Sequence, residues 1–172
     1  KYIFPIYSNL LSKKLLTFWR NTVILKLFQG EKGRNDLRIT HEADYAIRVT
    51  YCLALAGEKQ CAKDISEVTG VTLRFALKIL RKLTQSGITK SYKGVAGGYE
   101  LNHSPSEISL GAIIECIDGP IAINHCLANE FQCTHMGTQK ECDFHRVFSE
   151  INRSLRDQLC SITMDRFLPP QK

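Results

Sequence analysis

Residues 64–101 read DISEVTGVTLRFALKILRKLTQSGITKSYKGVAGGYEL. A short helix over Asp64–Thr69 is predicted to close at Gly70, and Thr72 then stands where a helix N-cap is expected. In the helix that follows, Leu73, Ala76, Leu77, Leu80 and Leu83 recur at three- and four-residue steps and are predicted to face inward. The opposite side carries Arg74, Phe75, Lys78, Arg81 and Lys82. Two helices joined by a Gly-Val turn, the second basic on its outer face, are the parts of a helix-turn-helix, whose second helix lies in the major groove. Beyond Gly87, the runs Ile88–Tyr92 and Tyr99–Leu101 flank a glycine-rich turn and predict a β-hairpin wing. Gly94, Gly97 and Gly98 let that turn approach a phosphate, and Lys90 and Lys93 supply charge. A nucleotide-binding loop is rejected, because GVAGG lacks P-loop spacing and its following lysine, and no helix follows it.

On the N-terminal side, Thr40 is predicted to cap a helix with Ala46, Ile47, Thr50, Leu53 and Ala54 on one stripe, ended by Gly57. On the C-terminal side, Ser109 caps a helix carrying Ile113, Ile114 and Ile117, which stops at Gly119-Pro120. A last helix is predicted from Phe144, Val147, Phe148, Ile151, Leu155, Leu159, Ile162 and Phe167. It has more apolar face than one small winged domain can cover, which implies a second copy of the chain as its partner. The predicted fold is mainly α with a small β-hairpin wing: a winged helix-turn-helix domain plus a long C-terminal dimerisation helix. Cys52, Cys116 and Cys160 lie on or beside helical stripes and read as core thiols.

Between the last two helices lies CLANEFQCTHMGTQKECDFH, residues 126–145. Cys126, Cys133 and Cys142 leave six and then eight residues between successive thiols, and His145 follows. Their neighbours are Asn129, Gln132, Thr134, Gly137, Thr138 and Gln139 rather than core residues. Thiolates in such a loop are soft ligands for zinc, copper(I) or an iron–sulfur cluster, and the spacing alone does not choose among them. The paired C-x-x-C of zinc ribbons is missing.

The chain has 172 residues, 44% of them hydrophobic, and a net charge of +6. That allows one sizeable core with appendages. The basic excess is N-terminal and the last third is acidic, a layout expected of a protein whose first part meets a polyanion. Seven cysteines, no secretory signal and no apolar run able to span a bilayer predict a reducing, cytoplasmic setting without membrane contact. Residues 1–36 resemble a basic amphipathic helix, yet no Met precedes Met136. They are read as a poorly ordered tail or as upstream sequence translated from a misplaced start, with Leu37 a candidate alternative initiation codon. The expected organisation is therefore an extension over 1–36, a DNA-binding domain over 37–104, a linking helix and cysteine loop over 105–143, and a dimerisation helix over 144–168.

From Leu37 to about Leu168 the chain resembles the bacterial IscR/NsrR family of winged-helix repressors. The resemblance rests on LRIT…DYAIR, KDISEVTGV, LRFALKILRKL, GVAGGYEL and SLGAIIECIDGP, in that order. It implies a cytoplasmic homodimer that binds double-stranded promoter DNA through Thr72, Arg74, Phe75, Lys78, Arg81, Lys90, Lys93 and Gly97. It also implies an iron–sulfur cluster, 2Fe-2S or 4Fe-4S, held by Cys126, Cys133 and Cys142. The fourth ligand is His145, as in IscR-like members, or Asp44, which in NsrR-like members reaches across from the other subunit; the coupling such a ligand gives to DNA-binding geometry favours Asp44. The cysteine spacing here is wider than the family's commoner one.

The function implied is a transcription regulator, usually a repressor, sensing nitric oxide, redox state or iron–sulfur supply. Its alternatives are a cluster-free regulator of the same family using redox thiols or a partner protein, and a zinc-stabilised interaction module. An enzyme would need an acid, base or nucleophile set beside the metal, and the sequence offers none.

Overall fold

A computed structural model describes residues 38–94, 96–128 and 142–170. The expectations for residues 1–36, for Cys133 and for most of the cysteine loop lie outside these residues. The central element is helix α1, His41–Ala56. Thr40 caps it by accepting the Ala43 N–H at 3.1 Å, and Gly57 ends it at φ 63°, a left-handed conformation that favours glycine. Ala43, Ala46, Val49, Thr50, Leu53 and Ala54 are buried on it. The small residues among them allow neighbouring elements to approach closely. The buried Thr50 hydroxyl donates back to the Ala46 carbonyl at 2.9 Å, so it is not stranded in the core.

Helices α2, Ala62–Thr69, and α3, Leu73–Gln85, pack against α1 and each other. Cys61 is the N-cap of α2, its sulfur accepting the Asp64 N–H at 3.4 Å. The turn between the helices is held by left-handed Gly70 at φ 69° and by the Ser66 hydroxyl, which donates to the Val71 carbonyl at 2.6 Å. On α3 the buried stripe is Ala76, Ile79, Leu80 and Leu83. This corrects the sequence reading: Leu73 and Leu77 are 44% and 42% exposed, and Ile79 takes their place. The four buried positions already complete an i, i+3, i+4, i+7 face, which leaves 73 and 77 on its edge.

Strands β1, Thr89–Tyr92, and β2, Gly98–Leu101, form the antiparallel hairpin, with Thr89 opposite Leu101 and Tyr92 opposite Gly98. Gln60 and Tyr99 exchange both backbone hydrogen bonds, at 2.9 and 2.8 Å, and tie the hairpin to the start of α2. A Cβ on Gly98 would fall 2.6 Å from the Gln60 carbonyl oxygen, so this close approach requires glycine.

Helix α4, Leu110–Asp118, is capped by Ser109 and packs on α1 and α3, burying Ile113, Ile114 and Ile117, while its buried Gly111 meets Leu159 and Cys160 of the last helix. Helix α5, Asp143–Ser161, buries no side chain completely. It packs on α4, joined by a forked ion pair from Arg156 to Glu115, at 2.6 and 3.1 Å. Asn152 also bonds the backbone of Ile121 and Ile123, at 2.8 and 3.1 Å. The helical periodicity read through Phe167 is corrected here. Helix α5 stops at Ser161, and Leu110 and Ile162 then join through a 2.9 Å backbone bond. Met164, only 1% exposed, enters the core at the start of a 3₁₀ turn, Met164–Phe167. Among the described residues no helix is long and apolar enough to cross a membrane.

Candidate nucleic-acid interface and cysteine site

Thr72 occupies the N-cap position of α3, but its hydroxyl makes no cap bond; only its carbonyl is used, accepting Phe75 and Ala76 N–H at 2.9 and 2.8 Å. The hydroxyl is thus left at the surface beside exposed Arg74. Thr72, Arg74, Phe75 and Lys78 together line one shallow depression, so the fold gathers four of the sequence-predicted contact residues. Phe75 is half-buried rather than wholly outward: its ring meets Tyr45 of α1 edge-on at 5.7 Å, and the Lys78 ammonium lies 5.6 Å from its centroid. Arg81 is exposed one turn further along.

The two lysines of α3 share a partner absent from the sequence reading. The Glu42 carboxylate, in the first turn of α1, lies 2.8 Å from Lys78 Nζ and 2.8 Å from Lys82 Nζ. The hydrogen bond from Lys78, then that from Lys82, holds the Glu42 carboxyl below its ordinary value despite partial burial. Lys82 also donates to the Ile117 carbonyl at 3.2 Å, bridging α3 to the end of α4.

On the wing, Lys90 and Lys93 are exposed. Gly97 is confined by backbone: a Cβ there would lie 2.5 Å from the Tyr92 oxygen and 2.8 Å from the Gly94 oxygen. Lys59, which the sequence reading missed, sits over the Tyr92 ring at 5.4 Å and adds a cation beside the turn end of the hairpin.

Two of the three loop cysteines are described. Cys126 lies in a 3₁₀ turn, His125–Leu127, and Cys142 directly precedes α5; both are half-buried free thiols. His145 is on the first turn of α5, and its Nδ1 is buried with no hydrogen-bond partner among the described residues. A buried ring nitrogen left unpaired is costly unless something not present here engages it. Asp44 is instead occupied: its carboxylate pairs with Arg48 at 2.7 Å. Among the described residues no three potential ligands gather into a metal site, and Cys133 is not one of those residues. The donor set of two available thiols and an unpaired imidazole nonetheless fits a soft or borderline metal centre.

The remaining cysteines divide. Cys52 packs against the core, and burial, helped by the Asp64 charge, pushes its thiol up to about 11. Cys116 donates to the Ser86 hydroxyl at 3.1 Å. Cys160, read from sequence as core, is exposed, although its sulfur lies over Gly111, where a Cβ would fall 2.6 Å from it.

The profile of the Rrf2 family, described as iron-dependent transcriptional regulators, matches residues 39–170. An HTH-type transcriptional regulator of Mycobacterium tuberculosis is 35% identical over 88 residues, which are 50% of this chain and 55% of that protein. The chain thus spans about half the length of that relative. The HTH-type transcriptional regulator IscR of Pectobacterium carotovorum is 27% identical over 136 residues, 77% of this chain and 79% of the relative. The structure of CymR, the global cysteine regulator of B. subtilis, superposes with a TM-score of 0.61 at 21% identity, covering 77% of this chain and 96% of that one. These relatives are transcription regulators and not enzymes.

Proposed function

The chain belongs to the Rrf2 family of transcriptional regulators, and from that premise we propose that it is a cytoplasmic, homodimeric repressor of promoter DNA whose operator affinity depends on a bound iron–sulfur cluster. The observation that carries the DNA-binding part is the depression at the start of α3, where Thr72, Arg74 and Lys78 converge on one surface. Thr72 and Arg74 are suited to base edges, and Lys90 and Lys93 on the wing to phosphates. The dimer is supported by α5, whose Phe144, Val147 and Ile151 are 77%, 44% and 50% exposed. A second copy of the same stripe would cover them, and the two reading heads would then meet successive major grooves.

Cys126, Cys133 and Cys142 would hold the cluster, with His145 or Asp44 completing it. The His145 Nδ1, without a hydrogen-bond partner among the described residues, supports the histidine, and the Arg48 pairing of Asp44 counts against the aspartate in this arrangement. When bound, the cluster supplies iron that reacts with nitric oxide or oxygen. The protein's own part is to fix Cys142 and His145 to the helix that carries the exposed stripe. That helix is joined to α4 by Arg156–Glu115, and α4 to α3 by Lys82 and the Ile117 carbonyl. A displacement at the cysteine site is thus mechanically connected to the reading helix.

A cluster-free thiol regulator is the second reading, favoured by the exposed free thiols Cys61 and Cys160. Anaerobic purification with iron and sulfide analysis separates the two. Visible absorption with stoichiometric iron and sulfide, lost in Cys126→Ala or Cys142→Ala, is the expected result. Colourless protein whose binding to DNA selected from a random duplex pool still responds to thiol oxidants would support the second reading. Colourless protein containing zinc would mark a structural zinc site.

A further inference from the structure

The Glu42 carboxylate, in the first turn of α1, pairs with two lysines one turn apart on α3, and the two lysines are not equivalent. Lys82 is the more sheltered, with 35% of its side chain exposed, and it has a second partner in the Ile117 carbonyl. Lys78 is 54% exposed and lines the same depression as Thr72 and Arg74. One carboxylate therefore holds a lysine that belongs to the packing and a lysine that belongs to the surface offered to DNA.

We infer that Glu42 is a specificity-determining residue: it engages Lys78 and so withholds that lysine from indiscriminate pairing with DNA phosphates. The inference rests on the DNA-binding reading above. The lysine end of the Lys78–Glu42 pair is 54% exposed, so that pair contributes little to stability, and a purely structural role is a weak reason for it. Its effect on a polyanion is larger. With Glu42 present, the three side chains carry a net charge of +1; without it they carry +2, and Lys78 swings free. Sequence-independent binding comes mainly from such mobile cations displacing counterions from the duplex, whereas sequence is read by side chains held against base edges. A lysine tethered by Glu42 joins the complex only where Thr72 and Arg74 have already seated α3. Contact with an arbitrary duplex must break the Glu42 pairing first.

The test compares full-length wild type with Glu42→Gln on two duplexes, one selected from a random pool and one scrambled, across a series of KCl concentrations. The expected result is that Glu42→Gln binds the scrambled duplex several-fold more tightly. Its log K against log salt should steepen by about one, and the ratio of selected to scrambled affinity should fall. In a Lys78→Ala background the same substitution should do neither, because the lysine it releases is gone. A second comparison does not depend on Glu42→Gln folding well. In otherwise native protein, Lys78→Ala should leave the scrambled-duplex salt slope unchanged, whereas Lys90→Ala or Lys93→Ala should lower it by about one. A purely structural Glu42 would move neither slope. Unchanged slope and ratio in Glu42→Gln, or an effect that persists without Lys78, would overturn the role of Glu42 alone. Lys78→Ala lowering the scrambled-duplex slope would overturn it too, since the lysine would then already be on phosphate. Failure of the wild type to bind any duplex, with or without cofactor, would instead remove the DNA-binding reading and this inference with it.

Discussion

Helices α3 and α5 both present apolar residues at helical spacing, yet they end in opposite environments. Helix α3 buries Ala76, Ile79, Leu80 and Leu83 within its own chain, against α1, α2 and α4. Helix α5 buries nothing fully over nineteen residues and leaves Phe144, Val147 and Ile151 exposed. Periodicity reveals that a face is apolar. It does not reveal whether the partner lies in the same chain: α3 is covered within it, and the exposed residues of α5 are the ones assigned above to the proposed dimer.

The strongest way to break this contrast is to remove a core side chain from the head. Leu80 is fully buried, so Leu80→Ala should lower unfolding free energy by about 2–5 kcal/mol. Urea denaturation followed by circular dichroism measures it. A loss under about 0.5 kcal/mol, within the range of neutral surface changes, would mean that α3 is not anchored as its burial indicates.

The proposed dimer is tested by placing a charge on the stripe of α5. Ile151→Asp should leave the helical content of the head intact and convert the protein to a monomer by sedimentation. Loss of the second head should then weaken operator binding by about a hundredfold or more. A dimeric Ile151→Asp protein would show that the exposed stripe is not the interface.

Much of the head was legible because its determinants are local. Thr40, Gly57, Gly70 and Ser109 act within a few residues of themselves, and each stands at the helix boundary the sequence suggested. What escaped depends on distance along the chain. Glu42 meets Lys78 across 36 residues, and Thr40 meets Asp118 across 78, at 2.6 Å. No pattern around Glu42 announces its lysines. The choice of Leu73 and Leu77 over Ile79 failed for a related reason: several apolar stripes fit α3, and only the packed neighbours decide which is buried. Helix α5 was read too long because Ile162 and Phe167 keep the spacing while the backbone bonds to residues 108–110 instead. In the cysteine site, His145 was recognisable as a donor type, but that its buried Nδ1 has no partner among the described residues is visible only in three dimensions.

The smallest effect concerns how α5 is held to the head. The hydrogen bond from Arg156 keeps the Glu115 carboxyl below its ordinary value of 4.5, against a smaller opposing contribution from burial. A carboxyl depressed on folding adds stability that is present above its unfolded value and lost as pH falls through its folded one. The difference in melting temperature between wild type and Glu115→Gln should therefore be present at pH 7 and close at lower pH, below about 4.5. Both side chains reach solvent, at 24% and 53% exposure, so the difference at pH 7 should be within about 2 °C. Arg156→Lys tests the geometry, since it keeps the charge and loses the fork that grips both carboxylate oxygens. If α5 depends on this fork, Arg156→Lys should behave like Glu115→Gln in the pH series. A lysine variant indistinguishable from wild type would show that charge alone suffices, and that Asn152 and the Gly111 contact do most of the holding.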